Sequence, residues 1–101
     1  YSSASSVYGN PSQIPVPEGA RLNPLTVYGA TKCASEHLIR AYTQTTDSRL
    51  SHVIFRFTNV YGPGQRVGLI PSVIRSILDK KPIEVRGDGS QTRDFVYIDD
   101  V

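Results

Sequence analysis

The run Ser51–Phe57 (Ser-His-Val-Ile-Phe-Arg-Phe) restricts this chain more than any other stretch. It is rich in β-branched and aromatic residues, of strand length, and largely apolar where a strand with one wet face would alternate. Such a run belongs to a strand covered on both faces, as parallel strands are. Parallel neighbours cannot be joined by a hairpin; they need a crossover, usually a helix. The preceding segment supplies one. A helix is predicted from about Thr26 to Thr45, with Thr26 as N-cap after Pro24. Ala30, Ala34, Leu38, Ala41 and Tyr42 recur at helical spacing and form its predicted buried stripe. Tyr1–Ser6 reads as the end of an earlier strand, and Val7-Tyr8-Gly9-Asn10-Pro11 as the turn that leaves it. Strand, loop, helix and strand in this order predict a βαβ unit and an α/β protein.

The rest of the chain is punctuated by proline and glycine. Asn10–Pro24 holds Pro11, Pro15, Pro17, Gly19 and Pro24, a connecting loop of the length that in compact proteins is more often functional than idle. Thr58–Gln65 leaves the Ser51–Phe57 strand at its C-terminal edge, where open α/β sheets bind ligands. Beyond Leu69 the residues Ile70, Val73, Ile74, Ile77 and Leu78 follow the spacing of an amphipathic helix, with Pro71 tolerated near its start. Pro82–Val85 is a predicted short strand, Gly87–Ser90 a turn, and Arg93–Asp99 a second, alternating strand. These last pieces read as a smaller unit attached to the α/β body.

Composition narrows the function classes. The net charge is +2, and Lys and Arg are scattered, so nothing marks a nucleic-acid surface. No apolar run approaches the roughly 20 residues that span a bilayer. Cys33 is the single cysteine, which excludes an internal disulfide and a cysteine zinc site within these residues. His37 and His52 stand alone, so no metal is expected. Glu36 and Arg40, four apart, read as an exposed helix pair. The chain opens on Tyr1-Ser2-Ser3 and stops inside an apparent strand, Arg93–Val101, so it is expected to be a fragment of a longer, cytoplasmic protein.

Chemistry enters with Tyr28 and Lys32. Four residues apart in the first turns of a helix, they lie roughly 40° apart on one face. There the ammonium of Lys32 sits near the phenol of Tyr28 and favours its phenolate. A tyrosine activated in this way can move a proton to or from an alcohol near neutral pH. The spacing alone is a weak signal. It gains weight from the Ser/Ala cluster some twenty-odd residues earlier, at a predicted strand end, where a hydroxyl could bond the same substrate oxygen.

Four ordered segments then carry a resemblance: Ser2-Ser3-Ala4-Ser5-Ser6-Val7-Tyr8-Gly9, Tyr28-Gly29-Ala30-Thr31-Lys32, Arg56-Phe57-Thr58-Asn59-Val60-Tyr61-Gly62-Pro63, and Gly87-Asp88-Gly89 followed by Arg93–Asp100. Over essentially its whole length the chain resembles the extended short-chain dehydrogenase/reductases. Within these it resembles the NAD-dependent nucleotide-sugar epimerase/dehydratase family typified by UDP-glucose 4-epimerase. The resemblance implies part of a Rossmann-type doubly wound parallel sheet plus the start of a smaller α+β substrate-binding domain. Residues 1–66 would complete the NAD-binding domain and residues 67–101 would begin the substrate domain. It implies Tyr28 as the acid/base and Lys32 as the residue that bonds the nicotinamide ribose. Thr58 would lie where the backbone approaches the nicotinamide. Asn59 and Arg93 would hold the nucleotide diphosphate, and Leu69 with Glu84 and Arg86 would border the base. The implied partners are NAD, a nucleotide sugar (a UDP-sugar above all) and a second copy of the protein in a homodimer.

Two features of the first segment refine this. The family places a catalytic Ser or Thr three residues before Val7, and that position is Ala4. Neighbouring strand residues face opposite ways, so either a local bulge brings Ser5 or Ser3 into place, or Tyr28 works without that hydroxyl partner. Family dehydratases and decarboxylases carry acidic residues just before the Tyr-Gly element, where this chain has Ser5 and Ser6. An epimerase, which oxidises to a 4-keto sugar and reduces it again on the other face, is therefore the expected enzyme. The alternatives are a dehydratase, decarboxylase or reductase of the same family, or a non-catalytic NAD(P)-binding sensor. No glycine-rich turn for the NAD pyrophosphate lies in these residues; such a turn upstream, followed by an acidic residue some twenty positions on, would confirm the cofactor and favour NAD over NADP.

Overall fold

A computed structural model describes residues 1–45 and 49–101, which form two compact units, Tyr1–Thr58 and Asn59–Val101. In the first unit, strand β1 (Ser2–Ala4) runs directly into a 3-10 helix, Ser5–Tyr8. Helix α1 (Val27–Thr45) follows the proline-rich loop, and strand β2 (Phe55–Phe57) closes the unit. β1 and β2 pair in parallel, with Ser2 opposite Phe55, Ser3 opposite Arg56 and Ala4 opposite Phe57. This is the βαβ connection that the Ser51–Phe57 run demands, although the paired strand is confined to the last three residues of that run.

Helix α1 begins where its cap chemistry places it. The Thr26 hydroxyl accepts the Gly29 amide at 3.0 Å, and the Thr26 carbonyl accepts the first helical amide, from Ala30, at 2.9 Å. The Pro-rich loop returns to its own origin, since the Asn23 amide donates to the Val7 carbonyl at 2.9 Å. Gly9 makes that return feasible. Its φ is +66°, and a Cβ there would lie 2.0 Å from the Asn23 carbonyl oxygen.

The covered face of α1 is not the predicted alanine stripe. Ala30, Ala34, Leu38, Ala41 and Tyr42 are all exposed, Leu38 at 70%. The buried residues of α1 are instead Gly29, against the 3-10 helix at Ser6, and Glu36, which bonds Ser3 of β1 and Arg56 of β2. The apolar periodicity marks a face left uncovered by these residues, whereas the side toward the sheet carries a glycine and a carboxylate. Val7 is the one fully buried apolar side chain among the described residues.

In the second unit, strand β3 (Asn59–Tyr61), helix α2 (Leu69–Leu78) and strand β4 (Phe95–Tyr97) repeat the βαβ order, with β3 parallel to β4. β3 falls within the Thr58–Gln65 segment expected to be an exit loop; Val60 and Tyr61 are nonetheless good strand formers, and Tyr61 packs edge-on against Phe95 and Tyr97. α2 matches its predicted span. It ends in a Schellman arrangement, with Lys81 N–H to the Ser76 carbonyl, Lys80 N–H to the Ile77 carbonyl, and Lys80 itself at φ +53°. Pro82–Val85 forms no strand, and the Arg93–Asp99 region contributes only Phe95–Tyr97 before a 3-10 turn, Ile98–Asp100.

Candidate active site

The first turns of α1 bring Tyr28 and Lys32 together. The Lys32 ammonium lies 5.7 Å from the centroid of the Tyr28 ring and 5.1 Å from that of Tyr1. It donates to the Ser2 carbonyl at 2.8 Å. Lys32 is thereby tied to the edge of β1 and placed between two tyrosine rings, whose faces attract a cation. One of its three N–H donors is used by Ser2, which leaves two to offer to a ligand. Tyr28 is 57% exposed, so its phenol reaches solvent. Gly29, between them, sets the height of the helix over the 3-10 turn. A Cβ at Gly29 would lie 2.8 Å from the Ser6 carbonyl oxygen and 3.0 Å from Pro24.

The serine cluster divides by role. No bulge occurs; the chain leaves β1 after Ala4 and coils into the 3-10 helix, so strict alternation ends there. Ser3 is 3% exposed and its hydroxyl donates to the Glu36 carboxylate. Ala4 pairs with Phe57 in the sheet. Ser5 opens the 3-10 helix and is half-buried, and the buried Ser6 hydroxyl has no hydrogen-bond partner among the described residues.

Beneath this edge lies a buried ion pair that the sequence reading missed. Glu36 is 0% exposed. Arg56, opposite Ser3 in the sheet, grips it with Nη2 to Oε2 at 2.7 Å and Nε to Oε1 at 3.0 Å. Arg56 Nη1 turns the other way, to the Tyr8 hydroxyl at 2.6 Å and the Glu18 carbonyl at 2.8 Å. The expected exposed Glu36–Arg40 pair is corrected accordingly. Arg40 stands 3.7 Å from the carboxylate at the solvent edge, and Arg56 is the principal partner. Hydrogen bonds from Arg56 hold the Glu36 carboxyl below its ordinary range against the opposing effect of burial, with Ser3 adding to the shift. Reciprocally, the hydrogen bonds to Glu36 raise the Arg56 guanidinium further above its already high value. The missed signal was the polar Arg56 in an apolar run, since a buried cation requires a partner.

The remaining candidates occupy other positions. Thr58 follows β2 and is exposed. In the second unit, Asn59 opens β3 and donates through its side-chain amide to the Asp94 carbonyl at 3.0 Å. Leu69, 58% exposed, is the first residue of α2. Glu84 and Arg86 lie on an exposed segment without strand structure, and the Arg86 carbonyl accepts from Gln91. Arg93, just before β4, is exposed.

A parallel βαβ edge bearing a Tyr-x-x-x-Lys pair on its crossover helix, the tyrosine exposed and the lysine half-buried, is the arrangement of a dinucleotide-dependent short-chain oxidoreductase domain. Residues 1–101 match the model of the NAD dependent epimerase/dehydratase family, and the chain belongs to that family. It is 38% identical over 104 residues to the UDP-glucose 4-epimerase of Mycolicibacterium smegmatis, a match covering 99% of this chain and 33% of that protein. The structure of a UDP-glucuronic acid 4-epimerase from Bacillus cereus, in complex with UDP-glucuronic acid and NAD, superposes with a TM-score of 0.86 at 43% identity, over 98% of this chain and 31% of that one. Dehydratases are relatives too: a dTDP-D-glucose 4,6-dehydratase of Dictyostelium discoideum is 38% identical over 85 residues, 83% of this chain and 19% of that protein. The fold is thus the Rossmann-type α/β arrangement, and the chain spans about a third of the length of the epimerases it matches. Among the described residues no helix is long and apolar enough to cross a membrane.

Proposed function

We propose that the protein carrying this chain is an NAD-dependent nucleotide-sugar 4-epimerase, with Tyr28 as its acid/base. The observation that carries this reading is the exposed phenol of Tyr28 beside a lysine ammonium that is itself anchored to the sheet edge. NAD suits the donor set. Lys32 has two N–H groups to offer to vicinal hydroxyls such as those of a ribose, and Thr58 follows the parallel strand β2. When bound, NAD supplies a hydride acceptor at the sugar C4 and returns the hydride afterwards. Tyr28 takes the proton of the C4 hydroxyl as the alcohol is oxidised and gives it back when the 4-keto sugar is reduced on its other face. Lys32 holds the ribose and keeps a positive charge beside the Tyr28 ring while the proton is away. The Ser5 hydroxyl serves in place of the one missing at Ala4, since Ser3 is engaged by Glu36.

Epimerisation is favoured over dehydration because the described residues of the first unit offer no carboxylate for the extra proton transfers of an elimination. Its acidic residues are Glu18, Glu36 and Asp47, of which Asp47 lies outside the described residues. Glu36 is sealed against Arg56 and Ser3, and Glu18 is an exposed loop residue. In this reading residues 1–66 complete the NAD domain and residues 67–101 begin the substrate domain. Asn59 and Arg93 bind the diphosphate of a UDP-sugar, and Leu69, Glu84 and Arg86 border its base. The full-length protein is a homodimer through the exposed apolar face of α1. The test is Tyr28→Phe in the full-length protein, with NAD affinity and turnover of UDP-glucose and UDP-glucuronic acid measured in parallel. NAD binding should persist while turnover to the C4 epimer falls by roughly 1,000-fold or more. Equal turnover by the two proteins would overturn the assignment. A 4-keto-6-deoxy product would replace the epimerase with a dehydratase, and NAD binding without turnover of any nucleotide sugar by the wild type would leave the sensor.

A further inference from the structure

We infer that Glu36 and Arg56 are positioning residues for the Tyr28–Lys32 pair, an inference that rests on the proposed role of those two side chains. Helix α1 is tied to strand β1 at two points one helical turn apart. Lys32 reaches the Ser2 carbonyl at 2.8 Å, and Glu36, four residues on, takes the hydroxyl of Ser3, the next residue of the strand. The second tie is extended to β2, because Arg56 is the register partner of Ser3 and grips the same carboxylate through two nitrogens. One buried carboxylate therefore fixes the helix against both strands.

Arg56 is locked from behind as well. Its Nη1 is shared between the Tyr8 hydroxyl and the Glu18 carbonyl, and its guanidinium lies 4.9 Å from the centroid of the Tyr8 ring. The planar fork leaves little rotational freedom in such a setting. Apolar packing beside this clamp is sparse, because along α1 Gly29 is buried without a side chain and Cys33 and Ile39 are only half-buried. Without the clamp, α1 could slide or turn against β1, carrying Tyr28 and Lys32 with it. Proton transfer is sensitive to displacements of that order. Neither Glu36 nor Arg56 is proposed to touch substrate or cofactor.

The experiment compares Glu36→Ala, Glu36→Gln, Arg56→Lys and Tyr28→Phe in the full-length protein, each assayed with NAD and UDP-glucose or UDP-glucuronic acid well below its own melting midpoint. Glu36→Ala should lower kcat by roughly 100-fold, with KM for the sugar and Kd for NAD changed no more than about two-fold. Glu36→Gln keeps an oxygen for Ser3 and Arg56 and should recover at least about ten-fold of that loss. Arg56→Lys keeps the charge but cannot bridge both carboxylate oxygens while also reaching Tyr8, and should lose roughly ten-fold in kcat. Hydrogen exchange should quicken at the amides of Gly29–Lys32 in Glu36→Ala. A folded Glu36→Ala protein with wild-type kcat, beside an inactive Tyr28→Phe, would reduce the pair to a structural role. Should Glu36→Ala fail to fold, wild-type kcat in Arg56→Lys would overturn the inference equally. Full activity in Tyr28→Phe would instead sink the functional reading itself.

Discussion

At the level of single residues, the proposed function asks two things of Lys32 at once, and they compete for its hydrogens. It holds α1 to the strand edge through the Ser2 carbonyl and presents its remaining donors outward. The serines around it are divided just as sharply. Ser3 is buried and Ser5 only half-buried, so the two alanine substitutions should give different losses. Ser5→Ala should cost roughly 100-fold in kcat with little change in stability, as expected when one aimed hydroxyl is removed from a reacting oxygen. Ser3→Ala should cost about 1–3 kcal/mol in stability by stripping one hydrogen bond from a buried carboxylate, with the smaller rate loss of the two. Urea denaturation and steady-state kinetics on the same samples separate these outcomes. Tyr28 and Lys32 were legible in the sequence because helical geometry fixes the relation of residues four apart. Glu36 and Ser3 were not, since 33 positions separate them and only the strand pairing makes them neighbours.

Among the elements, α1 is the one whose sequence misleads. Its apolar stripe pointed to one face, while the face against the sheet is held by small and charged groups. Helical periodicity reports which residues share a face and is silent about what covers it. Gly29 shows the price of that covered face. Alanine there would gain about 1 kcal/mol of helix propensity. Its methyl, however, would meet the Ser6 carbonyl oxygen at 2.8 Å, a backbone atom that cannot swing aside. Overpacking of this kind costs about 1–3 kcal/mol, so Gly29→Ala should be net destabilising and should lower turnover by lifting the first turn of α1. A fall in urea midpoint together with a fall in kcat is the expected pair of readings. The clamp between α1 and the sheet also sets an acid limit. The Glu36 carboxyl is held below its ordinary value near 4.5, so its contribution is complete above about that pH. That contribution is lost as pH falls through the lower folded value, because the unfolded chain then binds the proton more readily. Arg56 stays charged throughout and adds no pH window of its own. Urea midpoints measured downward from pH 7 should therefore drop more steeply in wild type than in Glu36→Gln, the curves converging in acid.

The whole molecule carries far more surface than its mass needs. A folded monomer of 11.1 kDa exposes about 5,700 Å², and two separate halves of that mass about 6,800 Å². These residues expose 8357 Å². Large apolar side chains contribute to it: Leu38, Leu50, Val53 and Phe55 in the first unit, and Leu69, Ile74, Ile77 and Leu78 in the second, are each more than half exposed. At about 25 cal/mol per Å², leaving even 1,000 Å² of such surface wet forgoes roughly 25 kcal/mol, more than the 5–15 kcal/mol that separates most native domains from their unfolded chains. The buried ion pair cannot make up that difference, since an ion pair taken out of water roughly breaks even. Produced alone, these 101 residues should bind the dye ANS, melt without a cooperative transition and turn over no nucleotide sugar. The same residues within the full-length protein should show protected amides in α1 and β2. A cooperative melt of the isolated chain, with amide protection equal to that in the longer protein, would mean that the βαβ edge and its Glu36–Arg56 clamp are stable without the surfaces that flank them.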